Sequence, residues 1–449
     1  MEMSRRGVLR AGGFLAAGAG LGGLTACSGT GSAGAGAGSA GDARKGNLTV
    51  WSWAGPAAEM RALVPAFNKT YPDIKVNVQD IGNPAIWDKI TTAMAAGGAG
   101  LADVLHIGVD YLPGYVAKFP GQLADLGPLG ANAYRDSFAK GLWGTVSPDG
   151  KRVNALPWEA NSGGFYYRAD VFEKAGVDVD AIATWDDAIE AGKKIKSSTG
   201  THLLGIDKPA SQADSANFFQ LLLQLQGTMY FNLGGDIMIS SPEAVKAMTI
   251  IKKMNDAGLV SDISGGWNTL ISSLKKGTNA VLPMPTWFGG IVEDAVPQQT
   301  GKWGVRLPPA VRPGGTRAAT VNSTHLAVSG VSKQQAAAWK FVEFVLTRPA
   351  SQVKIYQGKG IAPALLKAYD APVFHQPSPF FGGQKKGEIF FEALKAPSPA
   401  FNYTGDYARA LKAVTDAQTQ VLLKGADPAA ALRTAAEQLA QQTGRKVVR

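Results

Sequence analysis

The chain has 449 residues, carries 45 Lys and Arg against 35 Asp and Glu, and contains one cysteine. That length is enough for two domains with separate cores, and a lone thiol excludes an internal disulfide framework. The net charge of +10 includes no basic run or aromatic-basic stripe, so it reads as solvated surface rather than as a nucleic-acid interface.

Residues 1–26 read as an export signal. Arg5, Arg6 and Arg10 charge its start, with the first two forming a twin arginine, and Gly12 to Ala26 is apolar but too short to span a bilayer. Twin-arginine signals are read as addresses by export machinery. The segment Leu24-Thr25-Ala26-Cys27 resembles the lipobox of bacterial lipoproteins, which implies that Cys27 becomes an acylated first residue. From Cys27 to Gly46 the chain is almost entirely Gly, Ala and Ser, the composition of a flexible tether. Beyond it no apolar run is long enough to cross a membrane.

The body opens as alternating strands and helices. Leu48 to Trp53 alternates as a strand, and Gly55-Pro56 starts a helix that aligns Met60, Leu63, Val64 and Phe67 on one face. Ile74 to Val78 is the next strand, a second helix turns Ile86, Ile90 and Met94 inward, and Asp103 to Ile107 is a third strand. This alternation predicts an α/β architecture with a mostly parallel sheet covered on both faces. Ligands in such sheets bind beyond the carboxyl ends of the strands. Trp53 and the pair Asp110-Tyr111 fall at two such ends.

The stretch from Asp149 to Phe172 is unusual. An extended run to Pro157 is interrupted by Trp158-Glu159-Ala160-Asn161 and three small residues, Ser162-Gly163-Gly164, before Phe165-Tyr166-Tyr167 resumes. It suits a chain crossing between two lobes, with glycines able to change φ and ψ. A kinked core strand with polar residues turned to solvent fits the same residues.

Further along, Thr184-Trp185-Asp186-Asp187 has the spacing of a capping box, with Trp185, Ile189 and Ile195 inward. Phe218 to Leu225 is an apolar core helix, and Ser241 with Pro242 starts another. Trp267 lies in a glycine-rich loop. Asn279 to Pro283 is a strand followed by Pro285-Thr286-Trp287, and Trp303 to Leu307 is a short strand. Ala318 to Val328 is extended, Ser332 caps a helix containing Trp339 and Phe341, and two helices close the chain from Tyr407 and from Pro428 after Asp427.

The order and spacing of these pieces resemble the extracellular solute-binding proteins of bacterial ABC importers, in the carbohydrate-binding branch related to maltose-binding protein. The resemblance runs through Leu48 to Trp53, Val64-Pro65-Ala66-Phe67 with Tyr71-Pro72-Asp73, Ala102-Asp103-Val104, Asp149-Gly150-Lys151 to Pro157, Phe165 to Gly176 and Thr184 to Asp187. It implies a type II two-lobed periplasmic-binding-protein fold, each lobe a mostly parallel sheet flanked by helices, with the ligand cleft between lobes. It also implies lobe one from 47–157 plus 284–319, and lobe two from 158–283 plus 320–449. Partners would be a sugar and the permease subunits, with the chain a monomer anchored by Cys27 at the outer face of the cell membrane, without a cofactor.

A pyranose has apolar C–H faces and a ring of hydroxyls, so its site calls for flat aromatic surfaces beside fixed carboxylates and amides. Trp53, Tyr111, Trp158, Trp267 and Trp287 are candidate platforms. Asp110, Glu159, Asn161 and Asn322 are candidate hydroxyl partners. Trp51, Trp185, Trp303 and Trp339 fall in core positions, and Arg168 reads as structural. Other readings remain open. A polyamine, peptide or metal ion can occupy the same fold, and Asp110 with Glu159 has the residue types of a glycosidase pair. The four histidines show no metal-ligand spacing, and Ser272-Ser273-Leu274-Lys275 lacks the companions of a Ser-x-x-Lys catalyst.

Overall fold

The computed structural model describes residues 45–210, 213–320, 323–396 and 401–448. The expected export signal, Cys27, nearly all of the tether and Asn322 lie outside the described residues. Gly46, expected at the tether's end, is the first residue of a strand.

The described residues contain ten strands: β1 (Gly46–Ser52), β2 (Ile74–Asp80), β3 (Val104–Gly108), β4 (Leu156–Pro157), β5 (Phe165–Arg168), β6 (Leu204–Ile206), β7 (Val260–Asp262), β8 (Val281–Leu282), β9 (Trp303–Arg306) and β10 (Thr324–Val328). The first sheet has the order β2-β1-β3-β10-β4. β1 runs parallel to both β2 and β3, whereas β10 lies antiparallel between β3 and β4. β3 is buried along its whole length, as expected for a central strand covered on both faces.

Helix Ala54–Thr70 packs on this sheet by burying Met60, Leu63 and Phe67, a three-and-four spacing that places one apolar stripe inward. Val64, expected beside them, is only half-buried. Full burial of each such side chain contributes about 1.5–3 kcal/mol. Helix Ala85–Ala95 does the same with Ile86, Ile90 and Met94.

In the second lobe β6 and β7 are parallel, but β5 runs antiparallel to both its neighbours, β8 and β9. The mostly parallel order therefore holds for β1 to β3 and for β6 with β7, not for the β8-β5-β9 sheet. Helix Trp185–Thr199 starts at the predicted capping box, with Thr184 and Asp187 satisfying each other's backbone N–H, and stops at left-handed Gly200 (φ 76°). Helices Pro242–Asp256 and Pro428–Thr443 are capped by Ser241 and Asp427. Ser332 is not a helix cap. Its hydroxyl donates to Asp103 and accepts from the Gln334 N–H, and the helix begins at Gln335.

Three cores result. The first gathers β1, β3 and β10 with Trp158, Trp339, Phe341 and residues onward to Ala368. The second gathers Phe165, Tyr167, Trp185, the Phe218–Leu225 segment and the closing helices. A smaller third joins Tyr166, Phe288, Trp303 and Phe381. This differs from the expected partition. β9 pairs with β5 and so belongs with the second lobe, while β10 enters the first sheet. Both strands are short and largely buried, and their sequences carry no mark of which sheet each completes.

The chain passes from β4 to β5 through residues 158–164, which lie beside three other segments. The Trp158 N–H donates to Thr324 O, Ala160 to Ala362 O, Gly163 to Ala319 O, and Gly164 to Met284 O. Gly163 and Gly164 do not have positive φ. They are small because a Cβ at Gly163 would lie 2.7 Å from Leu221 Cδ1, and one at Gly164 would lie 3.0 Å from Met284 O. Close packing, rather than backbone freedom, sets these two residues.

Candidate ligand-binding site

The expected site residues gather at strand ends and at the crossing, but in unequal roles. Trp53 follows β1 and precedes helix Ala54–Thr70. Its half-buried ring stacks on His106 at 4.1 Å and meets Trp87 edge-on at 5.4 Å. Trp87 stacks in turn on Tyr111 at 4.4 Å, which precedes the short helix Leu112–Lys118 after β3. Trp53, Trp87 and Tyr111 thus form one aromatic wall. Burial, and then the charges of Asp110 and Asp88, push the Tyr111 hydroxyl up to about 12, so it stays a neutral donor near neutrality.

Asp110 is half-buried, and the hydroxyls of Tyr403 and Tyr407, both of the second core, are raised first by burial, with the charge of Asp110 adding to it. Val109 beside it is buried in that core. A Cβ on Gly114 would sit 3.7 Å from Gly405 Cα. The segment after β3 therefore packs against the second lobe.

A second aromatic group stands on the other lobe. Trp267 is not in a loop but opens helix Trp267–Lys276, and the residue is 45% exposed. It stacks on Trp287 at 6.1 Å, and Trp287 is the residue before helix Phe288–Ala295, edge-on to Phe288. Among the described residues no ring contact joins the two groups.

Trp158, expected as a platform, is a core residue. It is 0% exposed and lies within the first core, its ring 5.1 Å from His106. The hydrophobic cost of exposing an indole and the depth of β4 place it inside. Asn161 is likewise fully buried. Its Oδ1 accepts from Thr286 Oγ1 at 3.2 Å and its side chain bonds Glu159, so it ties the crossing to residues 285–287.

Glu159 is 7% exposed, and its Oε1 accepts from Thr324 Oγ1 at 2.8 Å. Burial raises its carboxyl to about 7, against the lowering effect of the Thr324 and Asn161 hydrogen bonds. A carboxyl in this position is poised between acceptor and donor near neutrality. Thr324 also meets His106 Nε2 at 2.8 Å, and Ser52 Oγ meets His106 Nδ1 at 2.9 Å. Burial holds His106 well below its usual range, and His325 at about 3, so both are neutral.

Sequence reasoning missed Trp87, His106, Thr324 and Ser52. Trp87 sits on a helix whose other apolar residues are core, and nothing in its spacing separates it from them. His106 carried one usable signal, an imidazole inside an otherwise aliphatic strand. Among the described residues no group of three or more His, Cys, Asp or Glu is placed to hold a metal ion.

Two α/β lobes linked by side-by-side crossings, with aromatic groups at strand ends and a buried carboxyl at the junction, define a two-lobed solute-binding protein of the type II fold. The chain belongs to the bacterial extracellular solute-binding protein family, whose model matches residues 51–352. It is 28% identical to the lactose-binding protein of Rhizobium radiobacter over 88% of this chain and 93% of that one. It is also 28% identical to the arabinooligosaccharide-binding protein of Bacillus subtilis (strain 168), over 72% of this chain and 75% of that one. Among solved structures it is similar to the ABC transporter associated binding protein of B. animalis subsp. lactis Bl-04 in complex with beta-1,6-galactobiose. That match has a TM-score of 0.74 and 25% identity, covering 90% of this chain and 99% of the other.

Proposed function

We propose that the chain captures a sugar, an oligosaccharide in preference to a monosaccharide, by closure of its two lobes and hands it unchanged to the permease of an ABC importer. The aromatic wall Trp53-Trp87-Tyr111 beside the Glu159 carboxyl carries this reading. Flat rings take the apolar faces of pyranoses, and a buried carboxyl takes hydroxyls. The sugars named for the relatives, lactose, arabino-oligosaccharides and beta-1,6-galactobiose, support the same class. A ligand touching both lobes binds the closed arrangement better than the open one and so shifts the population.

The family is one of binding proteins, which supports a non-catalytic role. In this reading Asp110 and Asn322 supply further hydroxyl partners, and Trp267 with Trp287 forms the platform of the second lobe. No helix among the described residues is long and apolar enough to cross a membrane, and membrane attachment comes from a lipid on Cys27 of a monomer.

Calorimetry against lactose, arabino-oligosaccharides, beta-1,6-galactobiose and maltose tests it, with spermidine and a short peptide as controls. Micromolar or tighter binding of a sugar recovered intact is the expected result. Binding of a control alone overturns the sugar assignment, and consumption of a sugar overturns the non-catalytic one.

A further inference from the structure

Four buried side chains from four separate segments make one hydrogen-bonded line. Ser52 ends β1, His106 lies in β3, Thr324 begins β10, and Glu159 stands on the crossing. Their successive contacts are 2.9, 2.8 and 2.8 Å. Each hydroxyl has one proton, and a neutral imidazole has one N–H and one bare nitrogen. If Thr324 donates to the Glu159 carboxylate, its oxygen must accept from His106, which fixes the Nε2–H tautomer. Nδ1 is then bare and accepts from Ser52. The line has one polarity when the carboxyl is ionised. A protonated carboxyl lets every proton in it turn round.

We propose that His106 is a positioning residue for the ligand-binding carboxylate: its Nε2–H commits the single Thr324 hydroxyl proton to Glu159 and so holds Glu159 as an ionised acceptor for ligand hydroxyls. This rests on the sugar reading of the cleft. His106 also lies flat against Trp53, so one imidazole supports both the aromatic wall and the polar anchor.

The surroundings suit such a line. Apart from Thr324 and Asn161, Glu159 is influenced by its own burial, with no charged side chain among the causes. The titratable groups packed nearby are His106 on β3, His325 on β10, whose Nε2 meets Thr145 Oγ1, and Tyr369, whose hydroxyl donates to Pro363 O beside the crossing. Both imidazoles are neutral and the tyrosine hydroxyl is raised. The carboxyl is therefore the member of the group that changes charge around neutrality.

The sign follows. A carboxylate stabilised by an incoming hydrogen bond loses that support when the donor is freed, so its titration moves to higher pH. Two measurements on the intact protein decide the matter. Carboxyl carbon NMR of Glu-labelled protein, with Glu159→Gln assigning the resonance, follows Glu159 without ligand. Calorimetry with lactose and with beta-1,6-galactobiose between pH 5.5 and 9 follows affinity.

Wild type is expected to titrate near pH 7, with affinity falling as pH drops through that point. Thr324→Val, which removes the donor, moves both inflections upward by about one unit. His106→Phe, which keeps a flat ring under Trp53, moves them the same way by less, because Thr324 keeps its bond to Glu159 and loses only the Nε2–H that polarises it. His106→Gln and Thr324→Ser, which keep a donor, restore them. An unmoved Glu159 titration in His106→Phe overturns the proposal, as does pH-independent binding of a sugar that does bind. If neither sugar binds at any pH, these two ligands are excluded and the NMR titration alone decides the role of His106.

Discussion

Removing the Trp53 ring tests the aromatic wall most directly. In the free protein the ring makes two contacts, the stack on His106 and the edge contact with Trp87. Each such pair contributes about 0.5–1.5 kcal/mol beyond area burial, so Trp53→Ala should lower stability by about 1–3 kcal/mol. That fits within the total of about 5–15 kcal/mol for a folded protein. The variant should remain folded. A sugar face stacked on the same ring contributes at the scale of a binding hot spot, about 2 kcal/mol or more, which is about 30-fold in affinity. Trp53→Phe keeps a flat face of smaller area and should lose only several-fold. Calorimetry on both variants, with thermal unfolding to report stability, gives the comparison. Parent affinity in a folded Trp53→Ala would show that the ring is part of the core and not of the site.

Trp287→Ala is expected to weaken sugar binding by about tenfold or more, with a smaller loss in Trp267→Ala because the outer ring is the more exposed; parent affinity in both variants, measured by calorimetry, removes the second platform. Glu159 places a cost on the fold: its folded carboxyl is raised to about 7, so its contribution is fully present below the unfolded value of about 4.3 and is lost as pH rises toward 7. Glu159→Gln should therefore raise the melting temperature at pH 8 and leave it nearly unchanged at pH 4, and the opposite order would contradict the burial of the carboxyl. Gly163→Val pushes against Leu221, where a single Cβ already lies 2.7 Å from the nearest atom; overpacking of this kind costs about 1–3 kcal/mol, read by chemical denaturation.

Much of the architecture was legible because local rules were obeyed locally. The capping box at Thr184, the proline after Ser241, the cap Asp427 and the three-and-four stripe of Met60, Leu63 and Phe67 all stand where their spacing put them. What the residues could not convey was pairing between distant strands. β9 and β10 are both short, largely buried strands, and only their partners, β5 for one and β3 with β4 for the other, decide which lobe they build. The site was divided in the same way. Trp53, Tyr111 and Glu159 were visible as odd residues at strand ends. Trp158 looked the same in sequence and is core. Trp87 and His106 acquire their roles only from neighbours far along the chain.

The insertion of β10 has a consequence for biosynthesis. His106 and Thr324, bonded in the folded protein, are 218 residues apart in sequence, and long-range pairing of this kind slows folding. While translation proceeds, β3 emerges early as a strand buried on both faces in the finished protein, yet its partner on one edge has not been made. An unpaired apolar edge is a template for association between chains. A fragment ending at residue 319 should therefore aggregate rather than fold as an isolated first lobe, and a peptide covering 320–370 supplied with it should recover soluble material in sedimentation. The ribosome must finish roughly the first three-quarters of the body before the first sheet can close, so each nascent chain depends on protection from its neighbours until then.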